Sequence, residues 1–397
     1  MRCVSIPTTR GSQMHARSAG RTVVAALLLL AACGGGGNGG GGGGNGLAVG
    51  SVHACALRSG AVRCWGDNFY GQLGDGTTTD RPEAVRVRGL SGARAIAVGR
   101  FHTCAIVSDG VECWGGNGDS MKLGNAAFTE AHSPTPIRVD GLSGGVQSLA
   151  LGASHSCALV DGGVKCWGDN TYAQLGTESG SESATPLQVP GLESGVEAIA
   201  AGDTYTCALA NGGVRCWGEG TNGFLGDGSA SVHTRATPYP TIEEESGVTA
   251  LASSYGTTCA LVGAQVQCWG SAGLGVSGTG CAGGYCSSPR PLITAPEGTT
   301  SLQLGLANLY LLVNGGLKAM GVDDLGQLGN GDPMAPSTEL VDVSGLTGGV
   351  RYVSSRQAST CALLTSSQVR CWGLNADNQL GDTTNTDRSA PVEVQGL

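Results

Sequence analysis

The chain has 397 residues, 70 of them glycine and only 13% charged, so it is long enough for a sizeable core but poor in the residues that build long amphipathic helices. Its formal net charge of −9 argues against nucleic acid and anionic lipid headgroups as direct ligands. Turn-rich all-β structure is the class these numbers leave.

Residues 1–32 predict an export signal. Arg2, Arg10, Arg17 and Arg21 form a basic flank without an acid, and residues 23–32 supply an apolar run of ten, too short to span a bilayer. A start at Met14 instead of Met1 would give a signal of more usual length. The segment closes on Leu30-Ala31-Ala32-Cys33, which resembles the lipobox of bacterial lipoproteins. That resemblance implies cleavage before Cys33 and lipid on its thiol, and a simple secretory peptide or a buried helix is the alternative. Residues 33–46 then form a glycine-rich tether with a root-mean-square reach of about 20 Å. Loss of residues 1–32 removes four arginines and no acid, taking the charge from −9 to −13.

Residues 47–397 are one unit repeated seven times. Cys55/Cys64, Cys104/Cys113, Cys157/Cys166, Cys207/Cys216, Cys259/Cys268 and Cys361/Cys371 each lead into Trp-Gly, and Tyr310, Ala319 and Met320 hold the same places in a further copy. First positions are separated by 49, 53, 50, 52, 51 and 51 residues. In the third copy the apolar segments 147–151, 155–160, 163–168 and 185–189 are each of strand length. Four antiparallel strands per unit of about fifty residues is the arithmetic of a β-propeller blade. The last copy is as apolar as the middle ones, which favours a closed seven-bladed β-propeller over an open stack with polar caps. The strand-like ends LAVG and PVEVQGL are expected to complete one shared blade.

Two hairpin strands set residues opposite when their numbers share a sum. For Cys157 and Cys166 the central pair is Asp161-Gly162, a favoured two-residue turn. Ser59-Gly60, Asn211-Gly212, Gly263-Ala264 and Asn314-Gly315 centre other copies; Ser108-Asp109 fits less well, and the wider spacing of Cys361 and Cys371 calls for a three-residue loop or a bulge. Opposed positions lie within disulfide range, and export supplies the oxidising compartment. The copy at Tyr310 loses both cysteines together, which a bond explains most simply, although paired metal ligands or unrelated core thiols could vanish together too. Cys281 and Cys286 complete the pairing as a loop staple, with a redox or metal role as the alternative.

CWGDNFYGQLGDGT, CWGDNTYAQLGT and DDLGQLGNGD, followed by Pro and V-x-G-L, resemble the regulator of chromosome condensation repeat. The resemblance covers about residues 47–397 and implies an all-β, seven-bladed propeller of four-stranded antiparallel blades, here with intra-blade disulfides. The family's eukaryotic namesake is a nucleotide exchange factor acting through a wedge-like insertion. No interval here has room for one, so nucleotide exchange is not expected.

Two clusters suggest chemistry. His53, His102 and His155 stand two places before the first cysteine in consecutive copies, either converging on a metal at the ring axis or making structural hydrogen bonds; Tyr205, Thr257, Asn308 and Ser359 fill that place elsewhere, which favours the hydrogen bonds. Asp67, Asn68, Asp75, Asp169 and Asn170 suggest calcium, but turn hydrogen bonds account for them. No catalytic motif or nucleophile–base pair stands out, and no cofactor is expected. What varies among copies is the stretch between Trp-Gly and Leu-Gly, where Phe69, Tyr70, Met121, Tyr172 and Phe224 are the large apolar candidates for a binding surface. The sequence thus predicts an exported, lipid-anchored, monomeric propeller that binds a protein or an envelope ligand without catalysis. An enzyme acting on envelope polysaccharide, or an inhibitor of a secreted hydrolase, is the alternative.

Overall fold

The computed structural model describes residues 46–108, 110–229, 234–271, 281, 284–332 and 335–397. The export signal, Cys33 and the glycine tether up to residue 45 lie outside these residues. Each repeat forms one four-stranded antiparallel sheet whose strands follow in chain order, giving seven blades. Blade one comprises Gly46–Val49, His53–Arg58, Ala61–Gly66 and Arg81–Arg86. The inner strands of the later blades are Ala95–Val98, Val146–Leu151, Val196–Ala201, Val248–Ser254, Thr299–Leu304 and Val350–Arg356. Neighbouring inner strands touch all the way round, and Gly46–Val49 meets Val350–Arg356, so the ring closes.

The expected shared blade is not formed. Gly46–Val49 pairs with its sequence neighbour His53–Arg58, and the last strand, Arg388–Glu393, pairs with Val369–Gly373 in blade seven. Short turns make sequential pairing the low-entropy choice. The seam is held by side-chain burial instead: Leu47, Val49 and Trp65 share a core with Cys361, Leu363 and Leu380. Val49 N–H donates to Ser354 Oγ at 3.0 Å, and Ala84 N–H donates to Gln395 O at 2.9 Å.

The hairpins follow the register expected from the sums. Cys157 faces Cys166 about a turn in which Asp161 and Gly162 have φ of 51° and 80°, the positive pair of a type I′ turn. Ser59-Gly60, Asn211-Gly212 and Asn314-Gly315 repeat it; Gly263 alone is positive in its turn, and Asp109 lies outside the described residues. In blade seven Leu364 N–H donates to Gln368 O across a three-residue loop whose last member, Ser367, is left-handed at φ 70°. Cα atoms of the bonded cysteines stand 4.1 Å apart in blades one to five and 4.0 Å in blade seven, the close approach of a non-hydrogen-bonded pair. Cys281 is bonded to Cys286 at the start of the outer strand of blade five. Replacing Cys157 and Cys166 together by serine is expected to cost up to about 2–3 kcal/mol by the loop-entropy estimate. Urea unfolding reads this, and an unmoved midpoint would mean that the clip adds nothing.

The tryptophan after each second cysteine is fully buried and packs against the preceding blade, as Trp114 does against Leu73, Val87 and Leu90. Its Nε1–H donates to a carbonyl of that blade: Trp114 to Gln72, Trp167 to Lys122, Trp217 to Gln174 and Trp372 to Gln327, all within 2.8–3.0 Å. Trp65 does the same across the seam, to Gln379 O at 2.9 Å. Among the described residues Trp269 Nε1–H has no acceptor, Phe224 standing at the corresponding place of the preceding blade. Outer strands carry Pro82, Pro134, Pro186, Pro289 and Pro391, which remove donors from edges that would otherwise recruit further strands.

Candidate functional site on the loop face

Each blade ends on two unlike faces. One carries the two- or three-residue hairpins between second and third strands. The other carries the turn after the inner strand and the long loop between third and fourth strands, and this loop face holds the residues that vary.

The long loop is built around one buried side chain. Asn68 Oδ1 accepts from Leu73 N–H at 2.9 Å, and its Nδ2 donates to Thr77 O and Thr79 O. Asn117, Asn170 and Asn375 do the same in blades two, three and seven. A second clamp joins Gln72 to the loop's start: Gln72 Oε1 accepts from Tyr70 N–H at 2.8 Å, and its Nε2 donates to Asp67. Gln174 repeats this with Tyr172 and Asp169. Asp75 is paired with Arg81 at 2.7 Å. The residues first weighed as calcium ligands are therefore turn-builders, and among the described residues no group of three or more acids, histidines or cysteines is placed to hold a metal. Burial, with Asp80 nearby, pushes the Asp67 carboxyl above its ordinary value.

Clamped in this way, the loop projects what lies between its anchors. Phe69 is 69% exposed and meets Tyr70 edge to face at 4.9 Å. Tyr70 packs on Phe101 of blade two at 5.3 Å, and the Arg100 guanidinium lies 5.2 Å from the Phe101 ring centre. Phe69, Tyr70, Phe101 and Arg100 thus form one continuous amphipathic stack over two blades. Met121 and Tyr172, each 37% exposed, stand on the loops of blades two and three outside this stack. Phe224 departs from expectation: it stacks on Tyr205 at 5.5 Å and joins a blade core, because its place in the repeat is that of the clamping glutamine.

The three histidines do not converge. Thr103 Oγ1 donates to Gln72 O, so it accepts from His53, whose Nε2 is 2.8 Å away. Ser156 Oγ donates to Lys122 O and accepts in the same way from His102, and His155 Nε2 lies 2.9 Å from Thr206 Oγ1. Each imidazole ties its blade to the next from Nε2, leaving a buried Nδ1 without a partner among the described residues. His102 and His155 rest against Gly99 and Gly152, where a Cβ would collide with the ring. Tyr205 takes the same post, its hydroxyl 2.8 Å from Thr258 Oγ1.

In blade seven that post is Ser359, and the small side chain leaves room for Arg356 where five other blades have glycine. Arg356, 3% exposed, crosses the ring: Nη1 donates to Leu151 O at 2.8 Å and Nη2 to Asp203 at 2.9 Å. Arg356 thus bridges blade seven to blades three and four, and the Asp203 carboxylate is already paired with it. Phe101, Arg100, Arg356 and Asp203 escaped the sequence reading. Aligning copies on the glycine before each inner-strand turn would have exposed Arg356.

Seven four-stranded blades with a constant frame and one variable face define the class: a closed β-propeller whose sequence variation gathers on its loop face. The profile of the regulator of chromosome condensation (RCC1) repeat matches residues 59–106 and 161–209, and a second profile of that repeat matches 146–174. The chain is a seven-bladed propeller in which these segments match the RCC1 repeat. Over 136 residues it is 32% identical to the ultraviolet-B receptor UVR8 of Arabidopsis thaliana, covering 33% of this chain and 30% of the receptor. Over 126 residues it is 33% identical to the human E3 ubiquitin-protein ligase HERC2, covering 31% of this chain and 3% of the ligase. The matched segments are thus less than two thirds of either relative. Among solved structures it is similar to yeast RCC1 (Prp20) bound to Kap60, with a TM-score of 0.73, 20% identity and coverage of 84% of this chain and 83% of that one. Human WBSCR16 gives a TM-score of 0.70 at 20% identity, over 85% of this chain and 94% of its own. At such identities the likeness concerns the fold.

Proposed function

We propose that the propeller is a non-catalytic capture module, exported and held to a membrane by lipid on Cys33, which binds a protein partner through the loop face of blades one and two. The observation that carries this reading is the Phe69–Tyr70–Phe101–Arg100 stack, since aromatic and arginine side chains on a rigid base are the usual anchors of protein interfaces. The related propeller Prp20 is seen with a protein, Kap60, bound, and another study of it concerns binding to Gsp1p and histones. The buried disulfides suit an oxidising compartment. The Arg356–Asp203 tie favours recognition on the face over a ligand threaded through the axis.

Crosslinking on intact cells followed by capture of the propeller tests the reading. Phe69→Ala with Tyr70→Ala is expected to weaken recovery of the crosslinked protein by about tenfold or more, while the thermal midpoint holds. Unchanged recovery would remove this surface from the account. Mass spectrometry of the peptide containing Cys33 tests the anchor independently.

A further inference from the structure

The net charge of −13 expected for the exported chain hides a division between sectors of the hairpin face. Gly46, where the described residues begin, pairs with Leu57 and so lies at the hairpin end of blade one, beside Arg58. Arg58 donates to Ser367 O in the hairpin of blade seven. Arg63 reaches Gly396 O at 3.0 Å across the same seam, and Arg86 stands directly opposite it on the outer strand. Arg94 enters the inner strand of blade two beside its hairpin, donating to Val107 O at 3.0 Å. Arg351 holds the matching place in blade seven, next to Val350, which pairs with Leu364 at the hairpin.

Arg63, Arg86, Arg94 and Arg351 are all exposed. The one acid that couples to Arg58, Glu393, also accepts from Gln368 Nε2. Burial and the nearby Arg63 pull the Arg58 guanidinium below its ordinary value, a sign of how closely these cations crowd. On blades three and four the same face carries Asp161, Glu193, Glu197, Glu243, Glu244 and Glu245, with Glu244 paired to Arg215 at 2.6 Å. Cations thus gather where the chain enters the ring, and acids lie on the far side.

We propose that the arginines of blades seven, one and two form a surface that docks on anionic phospholipid headgroups, setting the hairpin face on the membrane and turning the loop face outward. The occupant follows from where the chain enters. Twelve residues separate Cys33 from Gly46, a reach of about 20 Å, so a lipid on Cys33 would hold this sector within a few Debye lengths of the bilayer. Each cation near an anionic surface adds attraction that salt removes, whereas distant acids are screened. The acidic net charge does not oppose such docking, because the fold places the arginines and the acids in different sectors. The docking rests on the lipid anchor for its orientation.

The chain purified from its host's envelope is allowed to distribute between vesicles of phosphatidylcholine and vesicles containing about one third phosphatidylglycerol. A preference of about tenfold or more for the anionic vesicles is expected, collapsing in about 0.5 M salt. Arg86→Gln, Arg94→Gln and Arg351→Gln together should bring the ratio close to one. Lys165→Gln, Arg215→Gln and Lys318→Gln remove equal charge elsewhere and should leave it unchanged. No preference in the unaltered chain, a preference indifferent to salt, or equal loss in both triple variants would overturn the proposal. The mass of the Cys33 peptide reads the anchor separately: absence of lipid with the preference intact would sink the anchor and keep the surface.

Discussion

Acidification from pH 7 to about pH 4.5 is expected to destabilise the ring by about 8 kcal/mol, comparable to the whole stability of an ordinary domain. The cause is the three buried imidazoles. His53 and His102 use Nε2–H as a donor, His155 Nε2 meets a hydroxyl, and all three have a bare Nδ1 among the described residues, so protonation would place an unpartnered N–H and a charge in a buried seam. Burial first, and Arg356 second, hold His53 down to about 3. Burial brings His155 to about 4, with Asp169 opposing and Arg356 assisting, and burial first, then the charge of Lys122, holds His102 well below its ordinary value. Folded values below the unfolded one mean that stability is fully present above about pH 6.5 and is lost as pH falls toward the folded values, at about 1.4 kcal/mol per pH unit for each histidine.

Asp67 and Asp377 oppose this weakly. Their carboxyls are pushed up by burial, so they favour the fold as pH falls, but both are partly exposed and screened. Urea midpoints between pH 7 and 4.5 measure the effect, and His155→Asn should remove about a third of the slope because Asn308 already serves that post in blade six. A midpoint indifferent to pH over this range would refute the assignment of neutral histidines.

Truncating Trp167 to alanine is expected to cost about 4 kcal/mol. The ring is fully buried among Leu123, Val139, Leu142 and Leu151, and Gly124 lies so near its Nε1 that no side chain fits between them. Collapse is therefore hindered, and Lys122 O loses one of its two donors, keeping only Ser156 Oγ. A sharper comparison uses phenylalanine. Trp167→Phe removes a satisfied hydrogen bond and should cost about 1–2 kcal/mol beyond the change in ring volume, whereas Trp269→Phe removes an N–H that has no acceptor and should be the milder substitution. Equal costs, read by thermal melts of both variants, would show that these N–H bonds carry no weight in joining blades.

The repeat, the hairpin register and the disulfides were legible because they depend on spacing within one unit. Asp161-Gly162 and the distance from Cys157 to Cys166 contain that geometry in ten residues. The burial of Trp167 between blades was legible from its fixed place. What the chain order conceals is contact between units. Arg356 meets Leu151 and Asp203 only because blade seven faces blades three and four across a closed ring. Phe101 joins Tyr70 only because adjacent loops converge. The same limit explains Phe224, whose aromatic side chain suggested an exposed anchor until the repeat placed it at the clamping glutamine. The arginine sector was hidden for a related reason: net charge is a sum, and binding responds to where charges sit.

Six of the seven sheets are clipped within themselves by a hairpin disulfide, blade six alone using Tyr310 and Ala319, and the closed ring follows from links that stay inside each repeat. Peptide mapping of the unreduced protein by mass spectrometry tests this directly. The predicted links are Cys55–Cys64, Cys104–Cys113, Cys157–Cys166, Cys207–Cys216, Cys259–Cys268, Cys281–Cys286 and Cys361–Cys371. Links between cysteines of different repeats, or free thiols at these positions, would contradict it.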